Sequence, residues 1–179
     1  MIAIPRADVD TINGTPLPPP VGAGSVAPSA HVVDLTGAPQ TVPGPSGQPA
    51  VLKFWATWCP HCRADVPLMK TIASRYAGRV RVLTFSVDQN LKKLRDFVDK
   101  EQLSYPVVPV YEPSASSEQA ALPDRYELQG IPGYYLIDGS GKITETFSGS
   151  LTEGKVDLEE KLKRLLPPEP PPPASSSKH

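Results

Sequence analysis

The sequence predicts an α/β domain with a central mixed sheet and helices on both of its faces. Three observations predict it. Short apolar runs alternate with stretches of helical periodicity through the middle of the chain. The alternation closes on a hairpin signal around Asp138-Gly139-Ser140-Gly141. The apolar run Ala50-Val51-Leu52-Lys53-Phe54-Trp55-Ala56 leads directly into a helix through Trp58-Cys59-Pro60-His61-Cys62.

Each element has its own warrant. Residues 31–35 form a short β-branched strand, followed by a Gly/Pro-rich connection to the strand at 50–56. A helix runs from Pro60 to about Ala77, because proline suits a first helical position and Val66, Met69, Ile72 and Tyr76 share one face. Residues 79–87 nearly alternate apolar and polar, as a half-buried strand does. Residues 91–102 are a helix burying Leu91, Leu94, Phe97 and Val98. Residues 107–111 are a short strand, and 118–128 are helical with an interruption at Pro123. Residues 133–137 and 142–147 pair across the turn, and 153–166 are a final amphipathic helix.

Proline draws the boundaries. Of 23 prolines, 10 lie in residues 1–50 and 6 in 167–173, so the folded unit is expected to span 30–166. Residues 1–29 read as a Pro/Gly-rich linker or disordered segment, and 167–179 as a Pro-rich disordered tail. Either run could instead serve as a proline-rich ligand, but neither has the flanking basic residue such ligands use. A net charge of −1 gives no electrostatic footprint for nucleic acid. No apolar run is long enough for a transmembrane helix. Residues 1–30 lack the apolar core of a signal peptide, so either a leader precedes this chain or the protein is cytosolic.

Cys59 and Cys62 are the only cysteines. A structural zinc site needs four ligands, and outside the motif the only histidines are His31 and His179, so no metal is expected. Two inert core cysteines fit poorly at a helix start beside Trp58 and Pro60-His61. A redox dithiol fits the spacing and the context. At a helix N-terminus, unpaired N–H groups and the helix dipole stabilise a thiolate, the reactive form of cysteine. Cys59 should be the exposed sulfur, and Cys62, one turn in, the buried one.

Phe54-Trp55-Ala56-Thr57-Trp58-Cys59-Pro60-His61-Cys62 resembles the active-site stretch of thioredoxin-fold proteins, most closely the TlpA/ResA-like branch of extracytoplasmic thiol-disulfide oxidoreductases. The resemblance extends over most of 30–166. Pro67 matches a helix-kinking proline, and Gly130-Ile131-Pro132-Gly133 matches the loop that holds a cis-proline against the dithiol. The resemblance implies a thioredoxin-like fold, Cys59 as nucleophile, Cys62 as resolving thiol and Pro132 as the cis-proline shaping a substrate groove. Without it, Pro132 reads as an ordinary turn proline. Trp58, Pro60, Ile131 and Gly133 would line that groove.

The chain also departs from the pattern. Lys53 stands where thioredoxins carry a buried acid, so proton transfer cannot be assigned there. Asp65 matches an acidic position of the ResA-like branch; it either accepts the proton of the resolving cysteine or is a first-turn acid favoured by the helix dipole. Gly133 replaces the threonine of many relatives, which would widen the groove. His61 could stabilise the Cys59 thiolate, and Pro60-His61 is the dipeptide of DsbA-like oxidases. A reduction potential between thioredoxin (~−270 mV) and DsbA (~−120 mV) is therefore expected.

The expected activity is protein thiol-disulfide exchange outside the cytoplasm by a monomer, with no dissociable cofactor. A membrane redox protein or a small thiol would be the electron partner. The alternative is a thioredoxin-like binding module that holds a partner through its proline-rich ends.

Overall fold

The computed structural model describes residues 21–167, together with the two-residue strands β1 (Thr11–Ile12) and β2 (Thr15–Pro16), which pair antiparallel. The rest of both proline-rich ends, where the linker and tail were expected, lies outside the described residues. β3 (Ala30–Val33) pairs antiparallel with β4 (Pro39–Val42). β4 falls inside the connection that composition marks as irregular. Its proline stands at the first residue of the strand, where a missing N–H is tolerated.

The central sheet contains β5 (Ala50–Trp55), β6 (Arg81–Ser86), β7 (Val107–Pro109), β8 (Gly133–Ile137) and β9 (Ile143–Ser148), in spatial order β7-β6-β5-β8-β9. β5, β6 and β7 run parallel, while β8 and β9 complete the sheet antiparallel. The expected mixed sheet is therefore present, with β5 at its centre. All six residues of β5 are buried, as a central strand covered on both faces must be.

The helix expected over 60–77 is two: α1 (Pro60–Ala64) and α2 (Val66–Arg75), broken at Asp65. Pro67 has no N–H to return to the Arg63 carbonyl four residues back, and that carbonyl accepts from the Asp65 N–H instead. α3 (Leu91–Glu101) starts at Asn90, whose side chain accepts from the Lys93 N–H at 2.9 Å. α4 (Ser117–Ala120) and α5 (Leu122–Arg125) divide just before Pro123. α6 (Leu158–Leu165) begins at an Asp157 cap, later than expected, because residues 151–155 turn to meet the site described below.

The sheet separates two cores. One holds Val51 and Trp55 of β5 with Cys62, Met69, Ile72, Leu94, Leu158 and Leu162. The other holds Leu52 and Phe54 with Phe85, Leu122, Tyr126, Tyr135 and the β3–β4 hairpin. The packed unit also begins earlier than proline content indicates. Gly24 and Ala27 donate their N–H groups to the Ile143 and Gly141 carbonyls at 2.7 and 2.9 Å, and Ser25 accepts from Ile143. Backbone pairing of this kind leaves no trace in side-chain composition.

Candidate active site

Beyond Trp55 the chain turns over residues 56–59 and enters α1. Asp88 pins this turn: it accepts from the Thr57 N–H and hydroxyl at 2.9 and 2.7 Å, and from the Ser86 hydroxyl at 2.7 Å. Sequence reasoning missed Asp88. Its only signal is an acid two residues past a serine at the end of a buried strand.

Cys59 and Cys62 form a disulfide with Cα atoms 5.2 Å apart. Cys59 is the N-cap of α1, and its Sγ accepts from the Cys62 N–H at 3.2 Å. Cys62 is completely buried, whereas Cys59 keeps 5% of its surface in solvent. Trp58, 65% exposed, stands beside it, and Pro60 and His61 are exposed as well. The Ile131–Pro132 peptide bond is cis, and the Ile131 carbonyl oxygen lies 4.0 Å from Cys59 Sγ. Ile131 thus lies beside Cys59, whose chain neighbours Trp58 and Pro60 are exposed.

Gly133 faces the other side of the sheet. On β8, Tyr134 and Leu136 belong to the core that contains the cysteines, while Tyr135 and Ile137 belong to the other. Side chains alternate along a strand, so Gly133 faces the same way as Tyr135. A Cβ there would meet Leu128 Cδ1 at 2.6 Å and the Gly130 carbonyl at 3.1 Å. The glycine makes room for that packing and does not widen a groove beside the dithiol.

His61 also sits differently from expectation. Its Nδ1 is 2.5 Å from Glu153 Oε2 in an ion pair whose side chains are both more than half exposed. The imidazole leans toward the turn at 151–155, and any positive charge it carries is balanced there by a carboxylate.

Asp65 is fully buried at the junction of α1 and α2, and it makes no cap hydrogen bond to the helix that follows. It accepts from the Tyr134 hydroxyl at 2.6 Å, the Ser150 hydroxyl at 2.7 Å, and the Leu151 and Thr152 N–H groups, both at 2.9 Å. Burial pushes its carboxyl up, but the bonds from Tyr134, Thr152 and Ser150 outweigh this and hold it below the usual carboxylate range. With its lone pairs filled and its charge favoured, Asp65 is a poor acceptor for a cysteine proton. It anchors residues 150–152 instead, which neither sequence reading anticipated.

Lys53 is buried, at 1% exposed. Its Nζ donates to the Cys62 carbonyl at 3.0 Å and lies 5.7 and 5.6 Å from the ring centres of Trp55 and Tyr134. Burial lowers its pKa to about 8, with the Asp65 charge acting in the opposite direction. Burial and the bond to Asp65 also drive the Tyr134 hydroxyl far above its ordinary value, so it stays a donor. Among the described residues, no group of three or more His, Cys, Asp or Glu could hold a metal, and no helix is long and apolar enough to cross a membrane.

Comparison with known proteins agrees with this geometry. The Redoxin family matches residues 22–164. The thioredoxin-like protein YneN of Bacillus subtilis is 28% identical over 142 residues, covering 78% of both chains. The thiol-disulfide oxidoreductase ResA of Bacillus cereus is 29% identical over 145 residues, covering 80% of this chain and 79% of its own. Among solved structures, a thiol:disulfide interchange protein DsbE from Chlorobium tepidum aligns with a TM-score of 0.67 at 24% identity, over 80% of this chain and 96% of its own. StoA from Bacillus subtilis aligns with a TM-score of 0.61 at 24% identity, over 78% and 97%. The fold is thioredoxin-like.

Proposed function

The chain belongs to the Redoxin family, and on that premise we propose a two-cysteine exchange mechanism with Cys59 as nucleophile and Cys62 as resolving thiol. The protein is a thiol-disulfide oxidoreductase, and its substrates are cysteines of other proteins. In the reducing direction, the Cys59 thiolate attacks one sulfur of a substrate disulfide. A Cys59–substrate disulfide forms and the other substrate sulfur leaves as a thiolate. Cys62 then attacks Cys59 Sγ, the Cys59–Cys62 bond forms, and the second substrate thiolate departs. Oxidation runs the same steps backwards. The sulfurs carry the electron pair, so the exchange itself needs no dissociable cofactor.

The observation that carries these roles is the asymmetry of the pair. Cys59 caps α1, accepts the Cys62 N–H at 3.2 Å and meets solvent beside Trp58, while Cys62 is closed off. An N–H aimed at sulfur favours the thiolate over the thiol. Trp58, Pro60, Ile131 and Pro132 would form the docking groove, with the exposed indole as an apolar platform and the Ile131 carbonyl close to the reacting sulfur. In keeping with the TlpA/ResA-like resemblance, the protein would act as a monomer outside the cytoplasm, and a membrane redox protein or a small thiol would reset it.

Trapping tests the roles. Cys62→Ser should accumulate mixed disulfides through Cys59, because the resolving step is gone, whereas Cys59→Ser should trap little. Equal trapping by the two variants would overturn the assignment.

A further inference from the structure

We propose that Lys53 is a positioning residue for the resolving step: its buried ammonium, lodged against the Cys62 carbonyl, holds Cys62 as the thiolate once the disulfide has opened. This rests on the reading of Cys62 as the resolving thiol.

Cys62 needs such help. It is completely buried, and burial by itself disfavours a thiolate. A cation lies against its backbone: Lys53 Nζ is 3.0 Å from the Cys62 carbonyl oxygen. Lys53 points from β5 to the sheet face that carries the dithiol, between the Trp55 and Tyr134 rings. Among the described residues its one hydrogen bond goes to the Cys62 carbonyl, at 3.0 Å. An ammonium has three donors, so two are left over for an anion that forms nearby. The titratable and charged groups around it are few. Asp65 comes from the α1–α2 junction, Tyr134 from β8, and Tyr105, behind Tyr134, from the segment before β7. Asp65 is already committed to four other donors, and the tyrosine hydroxyls are held neutral by burial. Among the described residues none of these groups takes a hydrogen bond from Lys53, so its remaining N–H donors stay open to a Cys62 thiolate, while the Asp65 charge acts on the ammonium through space.

In the resolving step, the Cys62 thiolate attacks Cys59 Sγ of the mixed disulfide. The intramolecular S–S bond forms, the Cys59–substrate S–S bond breaks, and the electron pair leaves on the substrate sulfur. The proton that Cys62 gave up to solvent is matched by one that the departing thiolate takes up. Lys53 exchanges no proton in this scheme; its field decides how much Cys62 is ready to attack. Its own titration near pH 8 ends that support in alkaline solution, where Lys53 and Cys62 titrate as a coupled pair.

Ultraviolet absorbance of the thiolate tests this in single-cysteine variants. In Cys59→Ser, with Lys53 intact, Cys62 should titrate below the ordinary cysteine value of ~8.5 despite its burial. Adding Lys53→Met should raise that midpoint by about one to three pH units, at least a tenfold loss of thiolate at neutral pH. The Cys59 midpoint, read in Cys62→Ser, should move much less when Lys53→Met is added. A Cys62 midpoint at or above ~8.5 with Lys53 present overturns the proposal, whether or not the methionine variant folds. So does an equal change at both cysteines. Reversed trapping would instead refute the cysteine roles, and the same titrations would still show which sulfur Lys53 serves.

Discussion

The two faces of the central sheet are built from the same strands and serve different ends. Along β5, Leu52 and Phe54 enter an aromatic cluster. Phe54 stacks on Phe85 with ring centres 4.8 Å apart, and Tyr126 meets Tyr135 edge-on at 4.9 Å. Lys53 and Trp55, one residue out of phase, enter the face that holds the disulfide, the buried Asp65 and an indole N–H with no hydrogen-bond partner among the described residues. The first face is apolar packing of the kind that stabilises any domain. The second buries the charges of Lys53 and Asp65, which is costly in a dry interior. The difference teaches that the same strands can build one face almost wholly from apolar contacts while the other sets buried charge against the backbone of the dithiol.

Substitutions on either face can break or sharpen that contrast. The largest effect is expected from Phe54→Ala, at roughly 3–5 kcal/mol of stability, with the reduction potential unchanged. Urea unfolding and a glutathione equilibrium measure the two quantities separately. A potential that moved with stability would mean the faces are not separable.

Lys53→Met should act in the opposite direction. In the oxidised protein, Lys53 has a folded-state pKa of about 8 against an ordinary value of 10.5. Below pH 8 it is charged in both states, and its burial costs the fold on the order of 3 kcal/mol at 1.36 kcal/mol per unit of pKa. Between pH 8 and 10.5 the unfolded chain binds the extra proton, so wild-type stability rises with pH relative to the variant. Lys53→Met should therefore be the more stable protein at neutral pH, with the gap closing across that window. A difference between the proteins that stays constant from pH 7 to 10 would sink this account.

Asp65→Asn should cost about 2 kcal/mol, because an amide nitrogen now faces donors that the carboxylate satisfied. The folded-state pKa of Asp65 is lowered, so its contribution is present above the unfolded carboxylate value of 3.8 and is lost as pH falls through the folded one. Acid unfolding curves should thus be flatter in the variant. The smallest effect is expected from His61→Pro, because an exposed pair with Glu153 contributes little. The potential should shift by less than ~30 mV, a factor below ten in the equilibrium constant. A larger shift would show that the imidazole turns to Cys59 in the reduced protein.

The sequence by itself determined the α/β class, the position of β5, the dithiol at the start of α1 and the hairpin of β8 and β9. These depend on signals carried within a few residues of one another: apolar runs, a C-x-x-C spacing, a proline at a helix start, an Asp-Gly turn. Even the interruptions at Pro67 and Pro123 were legible in part, since a proline acts on its own helix. Only the tertiary structure decided what surrounds the sulfurs. Asp65 meets Ser150 and Thr152 across more than 80 positions of chain, and His61 meets Glu153 across 92. Gly133 faces away from the dithiol because of strand phase, which a one-residue change of register would reverse. Lys53 looks anomalous in a buried strand until the fold lays the Cys62 carbonyl over its Nζ. Local patterns specify elements because their causes are local; the charge, tilt and partners of a buried side chain are set by whichever distant segments packing brings to it.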